Sequence, residues 1–501
     1  MPQLAIHWST VVSLSLLVAQ NTFADEPSRQ PPNVLMIAID DLNDWIEPLG
    51  GHPQSKTPGI KALAQRGVLF RNAHCQSPLC NSSRTSLMLS LRPSTTGVYG
   101  LAPWVRELDQ FRTSVSLPQF FESIGYQTYS CGKIYHGGNG KKVPPGAHRE
   151  FMHWGPGSGP GLRPDKKIVP PTPHGNNPWV DWGLFGTDQD RGDWKVAGWA
   201  ETKLKEMPQD KPFFLAVGFF FPHVPCYVSQ KWLDMYPDDN LVLPEIPADD
   251  LDDCSPFSEY LHWKLPEPKM DWLRKHNEHR NLVRCYLAAT SFMDSQVQRV
   301  INALDDSTFA DNTIVVLWSD HGWHLGEKNM TGKTTLWERS TRVPLIFAGP
   351  GIEPGICDRP TELRDIYPTL AAVVKQTPPD HVEGTSLVPQ LNDPKSVRTR
   401  PAITTHNPGN FSVRTRRYRL IHYADASEEL YNTAADPLEH HNLIANKEHR
   451  DVAERLRKWL PSKFAGLAKG SKHRVLEKRD GSWQWEGEPI EDTRQPQNLA
   501  K

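Results

Sequence analysis

The sequence predicts an α/β fold, a buried sheet whose strands alternate with helices. Three observations carry this. Four continuous apolar runs have the length of strands: Asn33–Ile39, Phe213–Phe219, Thr313–Trp318 and Val343–Ala348. Stretches with helical spacing lie between them. The first and third runs each lead into acidic residues, Asp40-Asp41 and Asp320, and ligands of open α/β sheets bind beyond the carboxyl ends of the strands.

Taken in order, Asn33–Ile39 shows no polar alternation and reads as a strand buried on both faces. Gly59–Arg66 is a short helix. Ser82 and Ser83 offer the start of another helix, with Leu87 and Leu91 on one face. Gly137–Asp190 is rich in Pro, Gly, His and Trp, has little periodicity, and reads as a long excursion over one edge of the sheet, a candidate substrate loop. Phe213–Phe219 is the second strand. Tyr236–Met270 is a second irregular insertion. Asn281–Asp305 is a helix, with Leu282, Tyr286, Ala289, Met293, Val297 and Val300 on one face. Thr313–Trp318 and Val343–Ala348 complete the sheet. Beyond Pro394 the pattern changes: Phe411–Arg414 and Tyr418–Tyr423 pair around a basic turn, Glu429–Asn432 comes next, then a helix over Lys447–Leu460. The expected organisation is a catalytic domain over 30–394, a smaller α+β subdomain over 395–469 and a charged, loosely ordered tail over 470–501.

The 501 residues allow one large core plus a smaller domain. A net charge of −2 gives no basis for nucleic-acid binding. Val11–Ala19 is a short apolar core, too short to span a bilayer, and Thr22-Phe23-Ala24 supplies small residues for cleavage. Residues 1–24 are therefore expected to be an export signal and the protein secreted or periplasmic. No other segment is long and apolar enough for a membrane span. Seven cysteines show no C-x-x-C pair, so a structural zinc site is not expected. With Cys80 set aside, the other six permit disulfides and equally fit buried free thiols.

Carboxylates at the ends of two strands select a hard divalent cation, calcium or magnesium. A single Asp there is more often a turn former or helix cap; two such strand ends around one unusual Cys favour a metal. A helix beginning near Ser82 sets Cys80 at its positive end, where free N–H groups favour an anion. Arg84, one turn in, can reach back. By spacing alone, a buried Cys beside a surface Arg fits equally well.

Cys80-x-Ser82-x-Arg84, with Leu87 and Arg92-Pro93, resembles the signature of the type I sulfatases, and most of the chain resembles the iduronate 2-sulfatase-like members. Pro32–Leu42, Gly132–His136, Pro222–Pro225, Ser319–Glu327 and Glu429–Asn432 with Asp436-Pro437 occur in that family's order. The resemblance implies an alkaline-phosphatase/sulfatase-like mixed central sheet flanked by helices. It implies that a maturation enzyme converts Cys80 to formylglycine, whose hydrate is the nucleophile. It implies that Asp40, Asp41, Asp320 and His321 surround calcium together with the modified Cys80. Lys133 would bind the sulfate and the aldehyde hydrate, His136 would be the base, and His223 and Lys333 would hold the sulfate and steady the leaving oxygen; Arg84 belongs to the same motif. The implied substrate is a sulfated saccharide, with 2-O-sulfated uronic acid units favoured. The family usually has Pro or Ala where this chain has Ser82, and Gly where it has Leu91.

These residue types suit the chemistry independently. A sulfate monoester is anionic and needs cations and oriented donors, and a base near neutrality is supplied by His. Each of these Lys and His residues taken alone fits a surface charge or a satisfied core residue better; their joint occurrence in order points to function. Two rival readings fit the same residues: a phosphodiesterase or phosphonate hydrolase of the same superfold, and a catalytically silent glycan-binding protein if Cys80 stays unconverted. Arg414, Arg416, Arg417 and Arg419 read as a solvated basic hairpin tip, less readily as a polyanion site. Asn81-Ser82-Ser83 and Asn410-Phe411-Ser412 match the N-glycosylation pattern.

Overall fold

The computed structural model of the chain describes residues 31–491. The expected export signal and the last ten residues of the expected tail lie outside them.

Strand β1 (Asn33–Asp40) is buried at every position, as an unbroken apolar run requires when both faces of a sheet are covered. Its side chains alternate between two cores. Leu35, Ile37 and Ile39 pack into one, Val34, Met36 and Ala38 into the other. The remaining strands of the main sheet are β2 (Gly67–Phe70), β3 (Gln127–Gly132), β4 (His153–Trp154), β5 (Phe213–Pro222), β6 (Thr313–Ser319), β7 (Leu345–Ala348) and β8 (Gly355–Cys357). Their spatial order is β8-β2-β7-β6-β1-β5-β3-β4. The central strands β6, β1, β5, β3 and β4 are parallel, whereas β7 runs antiparallel to both β6 and β2. The sheet is therefore mixed, as expected.

Six helices matter for the packing: α1 (Pro58–Ala64), α2 (Cys80–Leu89), α3 (Leu117–Ser123), α4 (Gly192–Glu206), α5 (His279–Asp305) and α6 (Ile366–Val373). α1, α4 and α5 cover one face, and α2, α3 and α6 the other. α5 buries Leu282, Tyr286, Ala289, Met293, Val297 and Val300, the face read from its periodicity. Among the described residues no helix is long and apolar enough to cross a membrane. All seven cysteines are free thiols, six of them buried, which settles the choice left open by the sequence.

A second, four-stranded antiparallel sheet lies C-terminal to the first: β9 (Ala402–Thr405), β10 (Phe411–Arg414), β11 (Arg419–His422) and β12 (Glu428–Tyr431), in that spatial order. Helix α7 (Arg450–Arg457) packs Ala453 and Leu456 against Val413, Leu420 and Leu430. The basic hairpin is not a solvated tip throughout. Arg414 and Arg419 are buried, and both pair with Glu338, while Arg419 also donates to Glu439 Oε1 at 2.5 Å. A buried guanidinium needs such partners.

The expectation of a loosely ordered tail is corrected by the structure. Within residues 470–491 the chain forms a three-stranded antiparallel sheet: β13 (Leu476–Arg479), β14 (Ser482–Trp485) and β15 (Glu488–Pro489). Leu476 and Trp485 are buried against Ile421 and Tyr431. Burial of two large apolar side chains outweighs the charged composition of the segment. Both glycosylation-pattern asparagines are also buried, Asn81 with its amide bonded to the carbonyls of Gly100 and Pro103, so neither is presented as an acceptor.

Candidate active site

The candidate residues lie beyond the carboxyl ends of four parallel strands. Asp40 and Asp41 close β1, Lys133 comes directly after β3, His223 after β5, and Asp320 and His321 after β6. Asp41 has φ of 60°, a left-handed conformation that a residue with a side chain holds only when its surroundings impose it. Asp41 N donates to Asp320 Oδ1 at 3.2 Å, Leu42 N donates to Ser319 Oγ at 3.1 Å, and the Tyr286 hydroxyl donates to the Asp41 carbonyl at 2.8 Å. These bonds turn the chain so that Asp40 and Asp41 face one point.

Lys133 depends on two glycines. Gly132 has φ of +71°, and a Cβ there would lie 1.8 Å from the Gly218 carbonyl oxygen. Lys133 N donates to that same oxygen at 2.9 Å, and a Cβ on Gly218 would strike the Lys133 backbone. Close backbone approach of β3 and β5 is thus what delivers the Lys133 side chain.

Cys80 opens α2 rather than preceding it, with Leu79 as the capping residue, so its side chain stands at the positive end of the helix dipole. Ser82 is buried; its hydroxyl donates to Ser77 Oγ at 2.7 Å and lies near the Leu79 carbonyl at 3.1 Å. Lys333 Nζ lies 3.2 Å from Cys80 Sγ, His321 Nε2 3.3 Å and Lys133 Nζ 3.7 Å. His136 lines the same cavity as Cys80, and its buried Nδ1 has no hydrogen-bond partner among the described residues. Ligand atoms of Asp40, Cys80, Asp320 and His321 all lie within 4.8 Å of one another, as do those of Asp40, Asp41, Cys80 and His223. Asp40, Asp41, His223, Asp320, His321, Lys133 and Lys333 are thus gathered around Cys80, with His136 in the same cavity.

Arg84 occupies a different place from the others. It reaches back, but to the carboxylates and not to the thiol: Nε donates to Asp320 Oδ2 at 2.7 Å and Nη2 to Asp40 Oδ1 at 3.2 Å. Nη1 donates to the carbonyls of Lys133 and Ile134. The side chain is fully buried and does not line the cavity. It positions the acidic residues and Lys133 without facing a ligand.

The electrostatics result from burial set against opposite charge. Burial raises the Cys80 thiol, but Lys133, Lys333 and His321 together hold it well below the ordinary thiol range. Burial likewise raises Asp40, and Lys133, His223 and Arg84 overcome it, leaving the carboxyl below the usual carboxylate range. Burial lowers His136, although the Cys80 thiol pulls the other way. Lys133 donates to Asp40 and Lys333 to Asp41 Oδ1 at 2.7 Å. Asp41 Oδ2 is buried and has no hydrogen-bond partner among the described residues. Three carboxylates and an imidazole converging on one point, with a buried carboxylate oxygen left unmatched, fit a hard divalent cation.

Cys80, Lys133, His136, His223 and Lys333 line one cavity of about 390 Å³, within the range of small-molecule sites. The long excursion contributes Asn177 and Trp179, the second insertion contributes Glu267, and the segment before β13 contributes Arg474. The sequence marks both insertions in outline and none of these four side chains. Isolated residues in aperiodic loops carry no signal of the direction in which they point.

Comparison with known proteins places this geometry in context. The family model described as Sulfatase matches residues 32–375, and one described as N-sulphoglucosamine sulphohydrolase, C-terminal, matches residues 326–465. A curated "Sulfatase" of Formosa agariphila is 38% identical, the match covering 86% of each chain. A "Choline-sulfatase" of Rhizobium meliloti is 30% identical over 83% of each, and human "Iduronate 2-sulfatase" is 27% identical over 90% of this chain and 98% of that one. A solved 2-O GAG sulfatase superposes with a TM-score of 0.62 at 24% identity, covering 86% of this chain and 91% of its own. The sheet is that of the alkaline-phosphatase-like fold.

Proposed function

We propose, from the premise that the chain belongs to the sulfatase family and is a sulfuric ester hydrolase, that it removes sulfate esters from a saccharide, 2-O-sulfated uronic acid units being the favoured substrate. The observation that carries the mechanism is the convergence of Lys133, Lys333 and His136 on Cys80 beside three carboxylates in one cavity.

Asp40, Asp41, Asp320 and His321 would hold calcium, which when bound supplies a Lewis acid that polarises oxygens of the nucleophile and of the sulfate. Conversion of Cys80 by a formylglycine-generating enzyme would supply an aldehyde whose hydrate carries one hydroxyl to attack sulfur and another to lose its proton. The remaining steps belong to the chain. Lys133 and Lys333 each stand between a carboxylate and residue 80, so their charge is oriented before substrate arrives. His223 borders the cavity, with Nε2 3.7 Å from Asp41 Oδ2, and donates to sulfate. His136 borders the cavity together with residue 80, and burial favours its neutral form, so it accepts the proton released there. The Lys333 ammonium meets the developing charge on the leaving oxygen.

The relatives' names point both to a small zwitterionic ester, choline sulfate, and to a sulfate ester of a uronic acid. The cavity supports the saccharide reading. Trp179 and Phe220 put two aromatic faces on the wall, as a quaternary ammonium site would need, but the same wall carries the Arg474 guanidinium, a cation that suits an anionic sugar and disfavours a second cation. Secretion or periplasmic location belongs to the same proposal and rests on the apolar run Val11–Ala19 and the nearby Ala24. The test is a panel of esters: a 2-O-sulfated uronosyl disaccharide, choline sulfate, an aryl sulfate and an aryl phosphonate. Highest kcat/KM on the disaccharide is expected. A preference for choline sulfate or for the phosphonate would refute the substrate assignment.

A further inference from the structure

We infer that Arg474 is a specificity residue that binds a second anionic group on the substrate, a carboxylate or a second sulfate, away from the sulfate that is cleaved. This rests on the saccharide reading of the site. The residue comes from the C-terminal segment that the sequence marked as tail, and that segment closes the cavity wall.

The guanidinium is largely buried, its side chain 13% exposed, yet it is under-used. Only Nη2 is engaged, donating to Glu267 Oε1 at 3.3 Å and Oε2 at 3.2 Å. Nε and Nη1 make no hydrogen bond among the described residues. Arg presents its donors as a planar fork suited to a carboxylate or sulfate oxygen pair. A single-nitrogen contact to Glu267 leaves the rest of that fork without a hydrogen-bond partner among the described residues, on a side chain that lines the cavity. The pair supplies local neutrality before an anion arrives, since Glu267 is itself buried, and it leaves one guanidinium edge open to that anion.

The backbone is arranged to present this side chain. His473 and Arg474 are consecutive residues with φ of 61° and 65°, two left-handed positions held without glycine. Their hold is explicit. Arg474 N donates to Glu486 Oε1 at 2.7 Å, its carbonyl accepts from Asn407 Nδ2 at 3.2 Å, and Leu476 N donates to Asn407 Oδ1 at 3.1 Å. Leu101 N donates to the His473 carbonyl at 3.2 Å, tying the segment to a chain that also lines the cavity. Strain imposed at adjacent residues and borne by four hydrogen bonds is the pattern of a positioned functional group. The cavity then has cations at two places: Lys133 and Lys333 around Cys80, and Arg474 with Glu267. A monosulfated neutral sugar uses only the first. A sugar bearing a carboxylate or second sulfate uses both.

The test measures sulfate release by the mature enzyme from three saccharides: a 2-O-sulfated uronoside, a disulfated hexosamine and a monosulfated neutral hexose. A charge-assisted hydrogen bond of this kind is worth roughly 10- to 100-fold in affinity. Arg474→Ala is expected to lower kcat/KM for one of the dianionic substrates by that factor relative to the neutral hexose sulfate, chiefly through KM. The substrate on which the loss falls identifies the anion read. Arg474→Lys should recover part of the loss. Glu267→Gln keeps the volume and removes the competing carboxylate, so it should leave the dianion's KM the same or lower. Equal loss on all three substrates with Arg474→Ala, or a rise in KM with Glu267→Gln as large as with Arg474→Ala, would overturn the inference while leaving the sulfatase reading intact. Release of sulfate from none of the three by the parent enzyme would overturn both.

Discussion

Arg84 Nε donates to Asp320 Oδ2 at 2.7 Å, and both side chains are fully buried. The same guanidinium contacts Asp40 and the carbonyls of Lys133 and Ile134, so one side chain ties together the ends of β1, β3 and β6. Removing it strands buried carboxylates. Arg84→Ala is expected to cost about 3–5 kcal/mol of stability, the usual effect of breaking a buried ion pair. Arg84→Lys cannot make the forked contacts and should recover only part of it. Urea unfolding of both variants checks this; a stability loss under about 1 kcal/mol for Arg84→Ala would show that the bridge is not structural.

Lys133 and His136 stand against Cys80 without belonging to the hydrophobic cores. Lys133→Ala and His136→Ala should each reduce turnover by about 10²–10⁴-fold, the range for a positioned acid or base, with circular dichroism unchanged. Parent-level turnover in either variant, with calcium present, would reject the assigned role.

Asp41 Oδ2 is a buried acceptor that hydrogen bonds among the described residues leave unmatched. Calcium should therefore stabilise the folded chain as well as support turnover, since a ligand bound only by the native state raises its stability by mass action. Differential scanning fluorimetry should show a higher Tm with calcium than with chelator, and Asp41→Asn should shrink that difference. An identical Tm in both conditions would argue against the site.

His324 lies outside the acidic cluster, buried, with Nδ1 bonded to the Glu327 carbonyl at 3.1 Å and Nε2 to Thr335 Oγ1 at 2.9 Å. Burial lowers its pKa to about 4, with Glu327 opposing. A group depressed in the folded state stabilises above its unfolded pKa of about 6.5 and loses that contribution as pH falls toward 4. The loss is on the order of 3 kcal/mol. The urea midpoint should fall between pH 6.5 and 4, and His324→Gln should flatten that slope. An unchanged slope in the variant would place the acid sensitivity elsewhere.

Legibility from sequence divided along physical lines. β1 and α5 were readable because apolar runs and 3.6-residue spacing persist over many positions. The cluster of Asp40, Asp41, Cys80, Asp320 and His321 was readable because each residue closes or opens a regular element, so topology alone brings them together. β13 to β15 were missed for the converse reason. Four-residue strands such as Leu476–Arg479 hold one buried apolar residue among charges, and that residue matters only once Ile421 and Tyr431 are beside it. The same holds for Arg414 and Arg419, which sequence set on a solvated turn and tertiary structure pairs with Glu338.

The segment so misread should be needed for folding. Trp485→Ala removes a buried indole from the core around Ile421 and Tyr431 and should cost about 3–5 kcal/mol. A melting temperature equal to the parent's would return the segment to the status of a dispensable tail.

The central claim is that residue 80 acts as an oxidised cysteine held against a divalent cation. Mass spectrometry of the peptide carrying residue 80, taken from a preparation that demonstrably releases sulfate, tests it most directly. The account predicts that sulfur and two hydrogens are lost from that side chain and one oxygen gained. An unmodified thiol throughout an active preparation would contradict it.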